Sequence, residues 1–137
     1  MLSSPEYIKK LRKSGLRPTK QRIKICEVLF DTEKTFHFTI SDLVKLIEIK
    51  ANEKISLATV YNTIHAFEKK GYLKEISINS SQTYFDTNTT NHHHFFDEKH
   101  KELIDLEDKD VVPVKIKKTI PGKKIKSVEV LVKIDSE

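Results

Sequence analysis

The sequence predicts an α+β protein in two parts: an N-terminal winged helix-turn-helix domain followed by a small C-terminal α/β domain. Three observations predict it. Four helix start and stop signals follow one another through the first seventy residues, the hydrophobic period then switches from near 3.6 to 2, and all of the excess positive charge precedes residue 87.

The helices are read in order from their caps. Ser3 and Glu6 have capping-box spacing with Pro5 in the first turn and Gly15 as a stop, so 4–14 is predicted as helix one. Thr19 caps a second helix whose Ile23, Cys26, Leu29 and Phe30 share a face. Thr39, with Asp42 three residues on, opens a third that buries Leu43, Leu46 and Ile47. Ser56 caps a fourth, with Val60, Ile64 and Phe67 inward and Gly71 at its end. Strand-like stretches at 72–78 and 82–87, separated by Asn79-Ser80-Ser81, form a hairpin, which is the wing.

This assigns 1–86 to the winged-helix domain. The polar run 87–91 is a hinge, and 92–137 is the second domain. In the latter, 102–106 is predicted as a strand, 109–118 as a short helix and 126–134 as a strand with Val128, Val130, Val132 and Ile134 on one face. About 45 residues with so few strands cannot supply a stable core alone, so this part is expected to be a dimerisation domain in a twofold homodimer.

At 137 residues the chain has no room for a large catalytic domain. With no long apolar run and a single cysteine, Cys26, it is expected to be cytoplasmic, free of membrane and disulfide-free. Residues 1–86 hold 15 Lys and Arg against 10 Asp and Glu, whereas 87–137 hold 10 of each. Within the first 24 residues eight cations, among them Lys10, Arg17, Lys20 and Arg22, face one acid, Glu6. That distribution fits a phosphate backbone as partner, since each neutralised phosphate releases counterions. Helix four would then be the reading element. Its outer face presents Thr59, Tyr61, Asn62 and His65 after Ser56. Amide groups can pair with adenine edges, and a phenol ring can pack on a thymine methyl.

His92-His93-His94 is a concentration of imidazoles beside the hinge. In an extended segment His92 and His94 point one way and His93 the other. With His37 in the loop before helix three, and with Asp86 and Asp105 on flanking strands, they form a mixed nitrogen and oxygen set suited to Fe, Mn or Zn as the divalent metal. Cys26 reads as a small core residue.

Several separated segments carry a resemblance over essentially the whole chain. Gly15-Leu16-Arg17-Pro18-Thr19-Lys20-Gln21-Arg22, then 55–63, then Tyr84-Phe85-Asp86-Thr87-Asn88-Thr89 and His92-His93-His94-Phe95-Phe96 resemble successive signatures of the ferric uptake regulator superfamily. The last two resemble its iron-response regulator branch, Irr. The resemblance implies a sequence-specific transcriptional regulator, mainly a repressor, of iron and haem homeostasis genes, bound as a dimer to an AT-rich pseudo-palindromic operator. By it, Arg17 enters the minor groove and Tyr61 is the main base reader. His37, Asp86, His92, His94 and Asp105 fall where the superfamily's regulatory metal site has its ligands. Haem is the branch's distinctive effector, with His92, His93 and His94 as candidate ligands and His93 foremost.

Three departures matter. Asn62 stands where most relatives outside that branch have Arg, Phe95-Phe96 replace the usual Asp-His, and the Cys-x-x-Cys zinc motif is absent. Two other functions remain open on the residues alone: a small metalloenzyme built on His92, His94 and Asp105, and a metal-buffering module.

Overall fold

The computed structural model describes residues 4–137, and its chain divides into two compact units, Met1–Thr89 and Thr90–Glu137. The first contains α1 (Ser4–Lys13), α2 (Lys20–Phe30), β1 (His37–Phe38), α3 (Ile40–Ala51), α4 (Leu57–Lys70), β2 (Lys74–Asn79) and β3 (Gln82–Asp86). The predicted Ser3 cap lies outside the described residues. The other caps form from the residues expected. Thr19 accepts from the Arg22 backbone N–H, and Ser56 accepts from that of Thr59. Thr39 and Asp42 close a reciprocal capping box at the start of α3, and Gly71, at φ 85°, ends α4 in the left-handed region where a side chain is costly.

The core of this unit joins Tyr7 and Leu11 of α1 to Ile25, Cys26 and Leu29 of α2, Leu43 and Ile47 of α3, and Val60, Ile64 and Phe67 of α4. On α2 the buried stripe is rotated from the expected one: Ile25 and Val28 are buried, while Ile23 and Phe30 pack at the margin. The wing hairpin pairs Ile76 with Tyr84, and its turn is held by the Asn79 carboxamide oxygen, which accepts from the backbone N–H groups of Ser81 and Gln82. In this unit one strand was not anticipated, as β4 (His93–Asp97) was not in the next. β1, a loop in the sequence reading, pairs antiparallel with β3 on the side away from β2.

The second unit is a three-stranded sheet of β4 (His93–Asp97), β5 (Glu102–Leu106) and β6 (Leu131–Ile134) in the order β5-β4-β6, β4 being antiparallel to β5 and parallel to β6. The helix expected at 109–118 does not form. A single 3-10 turn, Asp108–Asp110, is followed by an extended Val111 and then by chain in neither helix nor strand. Pro113 lacks the N–H a helix needs and biases Val112 toward extended backbone, and the Val114-Lys115-Ile116-Lys117 alternation has the period of a strand. The last strand is shorter than 126–134. Val130 is nonetheless joined to β4, because its carbonyl accepts from the His94 N–H.

Candidate functional site

Two surfaces concentrate the predicted residues of the first unit. On one, α4 projects its polar side between shallow grooves. Arg17, Lys20 and Arg22 line one of these with Thr59; Asn62 and His65 line another with Lys13, Lys69 and Lys70. A third lies between α4 and the wing, where Tyr61 and His65 face Ser80, Ser81, Gln82 and Thr83. Lys13 is one of the eight cations counted in the first 24 residues, whereas the wing residues, and Ser14 just after α1, were not singled out from sequence. Their only local signal is position, in a hairpin turn and at a helix end, and which face they join depends on packing.

Local geometry sorts the roles. Tyr61 is half exposed, and its ring lies 4.1 Å from that of His65, which sets its edge against Phe85 at 5.8 Å. The phenol is thus braced from below and open outward. Arg22 donates from Nη1 to the Arg17 carbonyl at 3.0 Å, so it supports the loop that carries Arg17. The Ser56 hydroxyl caps α4 and lies 2.8 Å from the Thr59 hydroxyl, which makes it a determinant of helix start. Lys10, counted among the basic residues, is turned inward. Its ammonium sits 4.5 Å from the Phe30 ring and 3.9 Å from that of Tyr72, and burial holds its pKa below the usual lysine value. Cys26 is fully buried, and desolvation pushes its thiol up to about 12.

The second surface of the first unit is the β1/β3 edge. There the ladder sets His37 directly opposite Asp86, an arrangement that cross-strand neighbours share at side-chain distances of about 5 Å. Asp86 is buried and its carboxylate accepts from the Asn88 N–H at 2.8 Å. Thr87 exchanges backbone and hydroxyl hydrogen bonds with Phe36, which fastens the start of β1 to the end of β3.

In the second unit, β4 and β5 bring His94 opposite Asp105. His92 and His94 project to the same side with ring centroids 4.4 Å apart, and the Nε2 of each is 3.4 Å from the Asp105 carboxylate. Atoms about 2.1 Å from a shared tetrahedral ion lie about 3.4 Å from one another, so this spacing is one that a single metal can bridge. The Nδ1 of His92 donates to the Thr90 carbonyl at 2.8 Å, a second contact that fixes the tautomer and leaves Nε2 as the ligand atom.

His93 is turned to the opposite face and fully engaged. Its Nδ1 accepts from the Val130 N–H at 2.9 Å, and its Nε2 donates to the Asp108 carboxylate at 2.9 Å. The ring clamps the chain before β6 and the turn after β5 onto β4.

A model of the ferric uptake regulator family matches residues 13–134. Over 101 residues the chain is 36% identical to the peroxide-responsive repressor PerR of Staphylococcus epidermidis, an alignment covering 74% of this chain and 65% of that protein. The chain therefore spans just under two thirds of the length of that relative. The ferric uptake regulator of Vibrio cholerae superposes with a TM-score of 0.69 at 22% identity, covering 94% of this chain and 98% of the other. That of Pseudomonas aeruginosa, determined with manganese, superposes with a TM-score of 0.67 at 22% identity, covering 96% and 98%. At such identities these two structures speak for the fold alone, a winged-helix unit followed by a small sheet unit.

Proposed function

Since the chain belongs to the ferric uptake regulator family, we propose that it is a metal-responsive, DNA-binding transcriptional repressor that acts as a homodimer. The reading rests above all on one observation: His92, His94 and Asp105 converge on one face of β4 and β5 at a spacing that a single ion can bridge. The two nitrogens and the carboxylate suit a borderline divalent cation, Fe, Mn or Zn. His37 and Asp86, held opposite each other by the β1/β3 ladder, are the further ligands in this proposal. Membership of a family of regulators displaces the small-metalloenzyme alternative.

The DNA reader is α4. Tyr61, Asn62 and Thr59 contact bases, while Arg17 and Lys20 contact the backbone and minor groove, with Arg22 and Ser56 holding the loop and the helix start in place. The distribution of cations around α4 supports this, because phosphate contacts position a reader and base contacts specify. The bound sequence is an AT-rich pseudo-palindrome, read by two heads about one helical turn apart or a multiple of it. The targets are genes of iron and haem homeostasis. When bound, the metal supplies charge and a fixed geometry at its ligands. His37, Asp86, His92, His94 and Asp105 would hold it, and head orientations in which they can all reach one ion would gain population.

Between metal and haem as effector, metal is favoured. Ligation of haem through the Nε2 of His93 would cost both of its hydrogen bonds, because the proton now shared with Asp108 would move to Nδ1, and ligation through Nδ1 would still take the acceptor from the Val130 N–H. A signal from oxidants is a second reading, favoured by the identity shared with a peroxide-responsive repressor. Cys26 is not its sensor here, because a thiol raised to about 12 is not a thiolate at neutral pH.

The test is a fluorescence-anisotropy titration of the full chain on duplexes it enriches from a randomised library. It is run with chelator, Mn(II), Fe(II) under anaerobic conditions, Zn(II) and haem. Affinity that rises with a divalent metal and falls with chelator supports the proposal, and affinity indifferent to every metal removes it. Loss of the Fe(II) response on exposure to peroxide would favour the second reading.

A further inference from the structure

The net-neutral second unit separates its charges along the chain. Residues 97–110 carry seven acids against three lysines, whereas residues 111–128 carry six lysines, Lys115, Lys117, Lys118, Lys123, Lys124 and Lys126, and no acid. The basic stretch is an arm. Every residue from 112 to 127 is exposed, neither helix nor strand forms among them, and Pro121-Gly122 reverses the chain through a turn in which the Lys123 N–H donates to the Ile120 carbonyl at 3.0 Å. Gly122, at φ 76°, takes the third position of that turn, where a positive φ is required.

Taken alone, such an arm is poorly satisfied. Val112 is 86% exposed, Ile120 62% and Ile125 57%. No strand pairing engages 112–127 among the described residues, and none of the six lysines has an ion pair there. A segment outside any helix or ladder, with apolar side chains alternating at Val112, Val114 and Ile116, is suited to add as a strand to an open edge.

The same unit presents an edge of matching character. β5 pairs only with β4 among the described residues, so its outer edge is open. Glu102 and Ile104 are exposed on it, and Glu107 and Asp110 follow directly.

We propose that the basic arm of one protomer covers the acidic outer edge of β5 in a second copy of this chain, and that the contact is reciprocal. The inference rests on the homodimer reading and names its interface. Charge complementarity selects this occupant. Arm against arm would set six lysines facing six, whereas arm against β5 pairs opposite charges, and its reciprocity satisfies a twofold axis. Strand addition at the edge satisfies the backbone, and the alternating Val112, Val114 and Ile116 leave water against the exposed Ile104.

A charge swap in the full chain tests it. One variant carries Lys115→Glu, Lys117→Glu and Lys118→Glu; a second carries Glu102→Lys, Glu107→Lys and Asp110→Lys, which spares Asp105; a third carries all six. Self-association is read by sedimentation velocity over a dilution series, with circular dichroism as the folding control. Each one-sided reversal is expected to weaken the dimer by about tenfold or more, and the combined variant to recover most of it. A dimer constant unchanged by either reversal overturns the inference, as does a combined variant no better than its parents. Weakened DNA binding with an intact dimer also overturns it and assigns the arm to nucleic acid. If a reversal unfolds the chain, the salt dependence of wild-type self-association decides, because a complementary-charge interface must weaken as salt rises. A wild type that stays monomeric at every concentration would defeat the homodimer reading itself, a different result from a dimer indifferent to the swap.

Discussion

His94 and Asp105 stand directly opposite each other in the antiparallel β4/β5 pair, the imidazole Nε2 3.4 Å from the carboxylate oxygen. Their approach is set by strand register, since a slip of one residue would turn every side chain of β4 to the other face. His92, two residues earlier, shares the His94 side for the same reason, and His93 does not.

Replacing His92 and His94 together by Ala is therefore expected to abolish the metal response. Basal DNA affinity and the fold should remain. In wild type, metal at a hundred times its dissociation constant adds about 2.7 kcal/mol to stability. Calorimetry with and without Mn(II) reads this directly: the melting temperature of the wild type rises and that of the double variant does not. Equal shifts in both would place the metal elsewhere.

His93→Ala should act on stability and leave metal affinity in place. It takes the ring acceptor from the partly buried Val130 N–H, at a cost of about 1–3 kcal/mol, while the exposed Asp108 carboxylate turns to water. Denaturant melts and Mn(II) titrations separate the two effects. A Soret titration in which wild type and His93→Ala bind haem differently while melting alike would assign the ring to haem.

On DNA, Tyr61→Ala should cost about 1–3 kcal/mol on the selected duplex and much less on random sequence, because base readout disappears while the phosphate interactions persist. An equal effect on both would make the phenol a packing element for His65. Arg17→Ala should instead weaken both duplexes and reduce the slope of log affinity against log salt by about 0.9 for each phosphate that the protein no longer neutralises.

The buried thiol predicts a pH dependence. Cys26 titrates near 12 in the folded chain and near 8.5 when unfolded, so above that lower value the unfolded state releases a proton that the folded state keeps. Stability is full below about pH 8.5 and falls as pH rises, by up to about 1.4 kcal/mol per unit. Melts of wild type and Cys26→Ala from pH 7.5 to about pH 10 should converge as the wild type loses its advantage. Parallel curves would show the thiol to be accessible in the native state.

Much of the reading head was legible without coordinates because its signals are local. Thr19, Thr39 and Ser56 each cap the N–H groups of the very next turn, Gly71 is demanded by a left-handed backbone, and Val60, Ile64 and Phe67 recur at the helical period. The alternation that sets His92 and His94 on one side and His93 on the other is likewise a property of any extended segment. What the tertiary structure alone decided is non-local. A two-residue strand has no periodicity to read, yet pairing with β3 brings His37 opposite Asp86, forty-nine positions away. The partners of His93 come from Val130 and Asp108, Lys10 is withdrawn into an aromatic cleft, and the chain after Asp110 forms no helix where one was expected. Each of these depends on which segments meet, and the free energy of that meeting is shared among residues far apart in the chain.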